Sequence, residues 1–117
     1  MNPQAEEFRK FIETQVLGII QQLAEKGNTP QEQIQKLAQL TIDLIKPGMT
    51  LEELFQNAVK LDDRHSELAP VVYQVMKEYE KKYEQKAVAQ VSQLVKMGRY
   101  DDAASVVKKV LQFKFAN

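Results

Sequence analysis

Between Val71 and Met97 the chain contains neither glycine nor proline, and its apolar residues recur at helical spacing. Ser66-Glu67-Leu68-Ala69-Pro70 leads into this run and Lys96-Met97-Gly98 closes it. Such a stretch reads as one helix over 67–97, about 46 Å long at the usual rise per residue. That helix constrains everything else. The chain has 117 residues, so what remains is shorter elements that must pack on the long helix or hang from its ends.

Those elements are also helical. Asn2 reads as an N-cap with Pro3 at the first helical position, and Glu6 and Glu7 then favour the positive end of the dipole. Phe8, Ile12, Val16, Ile19 and Leu23 follow at steps of four and three, widened by Phe11 and Ile20, until Gly27 supplies a left-handed stop. Thr29-Pro30-Gln31-Glu32 has the form of a capping box, in which Thr29 accepts from an early amide and Glu32 reaches back. Ile34, Leu37, Ala38, Thr41, Leu44 and Ile45 form the inward face of that second helix, and Pro47-Gly48 ends it. A second box, Thr50-Leu51-Glu52-Glu53, opens a short third helix, with Met49 and Leu54 placed as a hydrophobic staple. This helix should fray near Leu61-Asp62-Asp63, and Ser66 then caps the long one. The last helix follows Gly98, with Asp101 and Asp102 at its start and Lys108, Lys109 and Lys114 near its end.

No run alternates like a strand, and no Asn-Gly or Asp-Gly hairpin turn occurs. The fold class expected is therefore all-α, with five helices over roughly 3–26, 30–46, 51–62, 67–97 and 101–113. They form a small helical bundle with one long helix and a C-terminal antiparallel helical hairpin. The chain reads as one domain over 1–117, divisible into an N-terminal lobe (1–76) and the hairpin (87–117).

The two ends of the long helix differ from its middle. The inward stripe is Leu68, Val72, Val75 or Met76, Tyr79, Tyr83, Ala87, Val91, and Leu94 or Val95. From Lys77 to Lys86 only Tyr79 and Tyr83 interrupt polar and charged residues. This middle is expected to be exposed, supported by the Glu78–Lys82 pair at i,i+4 rather than by burial.

Beyond it, Gly98-Arg99-Tyr100-Asp101-Asp102-Ala103, with Leu94 before and Val107 after, resembles the turn of a tetratricopeptide repeat. The resemblance covers about 25 residues; Ala87 stands where the repeat has a large aromatic, and no second copy appears at the repeat period. It implies a helical hairpin closing at Gly98, of a kind that serves protein binding in that family.

Composition removes several classes of function. There is no cysteine, hence no disulfide framework, thiolate zinc site or thiol nucleophile. Four glycines, at 18, 27, 48 and 98, build no phosphate-binding loop. The N-terminal Met1–Glu7 lacks the basic and apolar blocks of a signal peptide, and no apolar run is long enough to span a bilayer, so a cytoplasmic, non-membrane protein is expected. Sixteen basic and sixteen acidic residues cancel, but residues 1–58 hold five against eight and residues 59–117 eleven against eight. The resulting −3 and +3 favour attraction between halves, within a chain or between copies. They fall short of a nucleic-acid-binding charge.

The one cluster with catalytic residue types is Asp62-Asp63-Arg64-His65-Ser66-Glu67. Two carboxylates beside the sole histidine suggest metal-dependent chemistry, yet the cluster sits where turn and cap residues belong, and no other element offers ligands. Lys77, Lys81, Lys82 and Lys86 with Tyr79 and Tyr83 form a stacking face for single-stranded nucleic acid only if Glu78, Glu80 and Glu84 are ignored. The reading drawn from the sequence is a non-enzymatic helical interaction or scaffold module, self-associating or binding another protein. It needs no cofactor and uses no metal. Tyr79, Tyr83 and the terminal Phe113 and Phe115 are the candidate surface. A weak nucleic-acid accessory role through the basic C-terminal half is the alternative, and a metal enzyme around Asp62, Asp63 and His65 ranks below it.

Overall fold

The computed structural model describes the backbone of residues 3–116 and the side chains of residues 3–112. Five α-helices follow in order: α1 Pro3–Lys26, α2 Gln31–Leu44, α3 Leu51–Ala58, α4 Ala69–Lys96 and α5 Tyr100–Ala116; a 3-10 turn, Ser66–Leu68, leads into α4. No strand occurs among the described residues. The expected all-α class with five helices is what the chain adopts. It divides into two compact units, residues 1–78 and 79–117, and α4 contributes one end to each.

In the first unit the apolar stripes meet as their spacing requires. Phe8, Ile12 and Val16 of α1, Leu37 of α2, Leu54 of α3, then Leu61, Leu68, Val71 and Val75 are the largest fully buried side chains. At about 2 kcal/mol for each, burial of this set is the main stabilising term of the unit. Polar groups that enter the core bring partners. Thr41 is buried, and its hydroxyl donates to the Leu37 carbonyl at 2.9 Å. Asn57 of α3 donates from Nδ2 to the carbonyl of Leu44 at 2.9 Å, satisfying one of the acceptors left over at the end of α2.

Helix ends are where the structure corrects the sequence. The Thr50–Glu53 box forms reciprocally, each bond 3.1 Å. The Thr29 box does not form. Pro30 itself takes the N-cap position, with ψ 143° and no side-chain cap bond, and its carbonyl accepts from Ile34 N–H at 3.2 Å. That shift of one residue places Glu32 at the second helical position, one short of the position from which it could reach back. At the other end α2 stops at Leu44 rather than 46. Ile45 turns to an extended conformation (φ −111°, ψ 102°) and is itself buried, while Pro47 disfavours a helical Lys46.

α3 ends at Ala58, short of the expected 62, because successive three-residue turns take over. Lys60, Leu61 and Asp63 N–H groups bond to the carbonyls of Asn57, Ala58 and Lys60. Ala58 and Leu61, both fully buried, lie three residues apart on the same side of this tightened chain. Ser66 opens the 3-10 turn instead of capping a helix, and Leu68 N–H bonds to His65 carbonyl at 2.9 Å, seating Leu68 in the core. Asn2 lies outside the described residues.

The second unit is a helical hairpin. Gly98 has φ +75°; its N–H bonds to Val95 carbonyl at 3.0 Å and Arg99 N–H to Leu94 carbonyl at 2.8 Å. This pair of bonds is the Schellman closure of a helix on a left-handed glycine. Arg99 then offers its carbonyl to Ala103 N–H and its guanidinium to Asp102 at 2.7 Å, so α5 begins at Tyr100, one residue before the expected start. α5 packs on the C-terminal part of α4.

A methyl group at Gly98 or at Gly18 would meet no atom within 4 Å. Of these two, Gly98 alone has a left-handed backbone. The same substitution should therefore act with opposite signs. Gly98→Ala should destabilise by about 1–2 kcal/mol, and Gly18→Ala, inside α1, should stabilise by roughly 0.5–1 kcal/mol. Urea unfolding followed by circular dichroism measures both; equal effects would contradict the assigned turn.

Candidate interaction surface

The middle of α4 is less open than its sequence suggests. Tyr79 is 6% exposed and Lys82 9%, and Tyr83 is half-buried. The two tyrosine rings lie 6.3 Å apart, tilted by 31°. The reason is register: Leu68, Val72, Val75 and Tyr79 succeed one another at steps of four and three, so Tyr79 extends a buried stripe into the charged segment. Lys82 follows three residues later on the same face, where a long aliphatic stem tolerates burial. The span expected to be exposed is thus covered on one face, at Tyr79 and Lys82, while Lys77, Lys81, Gln85 and Lys86 stay exposed. The side chains of Phe113 and Phe115 lie outside the described residues.

The Asp62–Glu67 cluster proves to be tied to α2. Gln33 Nε2 stands 3.2 Å from His65 Nδ1 and donates to Glu67 Oε2 at 3.1 Å. Hydrogen bonds from its own backbone amide and from Gln33, aided by the charge of His65, hold the Glu67 carboxyl below the usual glutamate range. A space of about 570 Å³ beside the cluster is lined by charges of both signs, including Lys36, Asp43, Lys60, Asp63 and Arg64. Among the described residues no group of three or more His, Cys, Asp or Glu side chains is placed to hold a metal ion. What the arrangement does is anchor the α3–α4 connection to α2.

Two apolar grooves are open among the described residues. The first, about 390 Å³, runs between α1 and α2, with Val16, Ile20 and Ile45 at its floor and Leu17 and Ile42 at its rim. Both rim residues are more than three-fifths exposed. Its polar end is formed by Arg9, which bonds Glu6 at 2.7 Å and Glu13 at 2.7 Å. The Arg9 hydrogen bond lowers the Glu6 carboxyl and the same bond raises the Arg9 guanidinium.

The second groove, about 440 Å³, lies within the hairpin. Ala87, Val88 and Val91 of α4 face Val107, Val110 and Leu111 of α5 across it, and Glu84 and Ser92 supply its polar edge. Val88 is 68% exposed, Val107 44% and Leu111 48%. In the whole second unit, among the described residues, the buried apolar side chains are Tyr79, Ala87 and Ala103. No leucine or valine of the hairpin is fully covered, in contrast to the first unit. The sequence contained this signal in the valines at 88, 91, 107 and 110. It was not legible because a helical stripe does not say whether its own chain provides the cover.

No helix among the described residues is long and apolar enough to cross a membrane. No protein-family model, curated protein or solved structure matches the chain.

The depressed Glu6 and Glu67 carboxyls carry a pH signature. A folded value below the unfolded one stabilises above the ordinary glutamate value and is lost as pH falls through the folded value. Stability should hold near neutrality and decline below about pH 4.3. The double substitution Glu6→Gln/Glu67→Gln should flatten that decline in urea titrations at successive pH values; an unchanged slope would contradict these contacts.

Proposed function

We propose that the chain is a non-enzymatic helical protein-interaction module that receives a partner segment along the α4–α5 hairpin. The observation that carries this reading is the apolar seam of Val88, Val107 and Leu111, left open on a hairpin whose buried apolar set contains no leucine or valine. Two amphipathic helices share one line of contact. Apolar residues to the side of that line need a third element, and isolated helix pairs do not bury a core alone. A contiguous exposed apolar patch with a groove at its centre is the usual signature of a binding surface. The Asp62–Glu67 cluster gives no competing support for catalysis, since its central contacts run to a structural amide on α2.

The test is site-specific photo-crosslinking from a photoreactive residue placed at Val88, with Gln93, on the far side of α4, as the control position. The reading expects discrete adducts from position 88 in an extract of the source cells, identified by mass spectrometry and lost when Leu111→Asp is added. Equal adducts from both positions, or adducts that persist with Leu111→Asp, would overturn it.

A further inference from the structure

We infer that the hairpin groove takes an acidic amphipathic helix, an inference that rests on the interaction reading above. The groove is bounded by two helices and has length. Its lining runs from Glu84 to Ser92 on α4, about 12 Å at the usual rise per residue and enough to seat two turns of a third helix. Among the described residues its lining is aliphatic, with no aromatic side chain and with Glu84 and Ser92 as its polar members. That chemistry suits leucine-type anchors at i, i+3, i+4 and i+7, the mode in which an amphipathic helix occupies an apolar groove.

Charge selects among such helices. Residues 79–117 carry eight basic and four acidic side chains, a net +4, and residues 1–78 carry eight and twelve, a net −4. The basic excess borders the groove. Lys81 stands one turn from Glu84, Lys96 one turn from Ser92, and Lys108 one turn from Leu111, and all three lysines are exposed. Residues three and four apart share a helix face, so these ammonium groups flank the apolar strip along both helices. Glu84, half-buried at the groove's edge, is the one carboxylate among its lining residues, against the three lysines beside it.

A helix with carboxylates on either side of its apolar stripe meets complementary charge at Lys81, Lys96 and Lys108. A second copy of the hairpin would bring lysine against lysine, which suppresses pairing. A nucleic-acid strand would find the lysines but, among the described lining residues, no aromatic ring on which to stack, and stacking is a large part of single-strand binding.

Two synthetic helical peptides of about 18 residues, roughly 27 Å, test this with the full chain. They share the same leucine stripe and differ only in having glutamate or lysine on its flanks. Calorimetry should find the acidic peptide bound about tenfold more tightly at low salt, with the preference shrinking as salt rises. Lys81→Glu/Lys96→Glu/Lys108→Glu should reverse the preference, and Val88→Asp should abolish binding of both peptides with the helical circular dichroism unchanged.

Equal binding of both peptides, lost with Val88→Asp, would overturn the acidic partner and leave the groove reading standing. Binding of neither would overturn both. So would binding of a 20-nucleotide single strand that is lost with the triple lysine variant while both peptides fail. Self-association that disappears with Val88→Asp would overturn the acidic helix in favour of a second copy.

Discussion

Burial of one apolar set, from Phe8 and Ile12 through Leu37 and Leu54 to Leu68, Val71 and Val75, is the interaction on which the described structure depends. It draws residues from three helices, a turn and the first third of α4. It also sets where those elements stop. α2 ends early so that Ile45 can turn in; the connection after α3 tightens into three-residue turns around buried Ala58 and Leu61; a 3-10 turn places Leu68. Satisfied polar contacts follow this core and do not define it. Thr41 bonds back to Leu37, Asn57 completes the end of α2, and Gln33 fixes His65 and Glu67.

The second unit obeys the same rule with less to bury. Among the described residues its buried apolar side chains are two alanines and a tyrosine, while Val88, Val91, Val107, Val110 and Leu111 line an open groove. Its order owes much to local devices: the left-handed Gly98 with its paired hydrogen bonds, and the Arg99–Asp102 contact at the head of α5. Local closure gives a hairpin its shape, but tertiary burial supplies most helical stability. A helix pair so composed draws less of its stability from burial than the first unit does.

Periodicity and stop signals were enough to read five helices, the Thr50–Glu53 box, and the closures at Gly27, Pro47-Gly48 and Gly98. They failed where a position had two local solutions. Thr29 and Pro30 both suit a helix start, and the choice of Pro30 became visible only with the chain folded. Tyr79 and Lys82 sit among charges in sequence, yet they continue the stripe begun at Leu68, and register outweighed local polarity. The cluster at Asp62–Glu67 looked like chemistry because residue types are visible and geometry is not; its long-range partner, Gln33, has no signal in sequence. The hairpin groove was illegible for a related reason. Val88 and Val107 look like any inward-facing valines until their surroundings are known.

On the proposed reading, residues 1–78 bury a core of their own while the hairpin's groove awaits a partner that covers it. Native-state amide hydrogen exchange of the full chain tests this directly, because protection reports the free energy of opening for each segment. Amides of α1 around Ile12 and of α3 around Leu54 should exchange about a hundredfold or more slowly than those of α5 from Ala103 to Leu111, a gap that partner binding would narrow. Equal protection of α5 and α1 in the isolated protein would contradict the account.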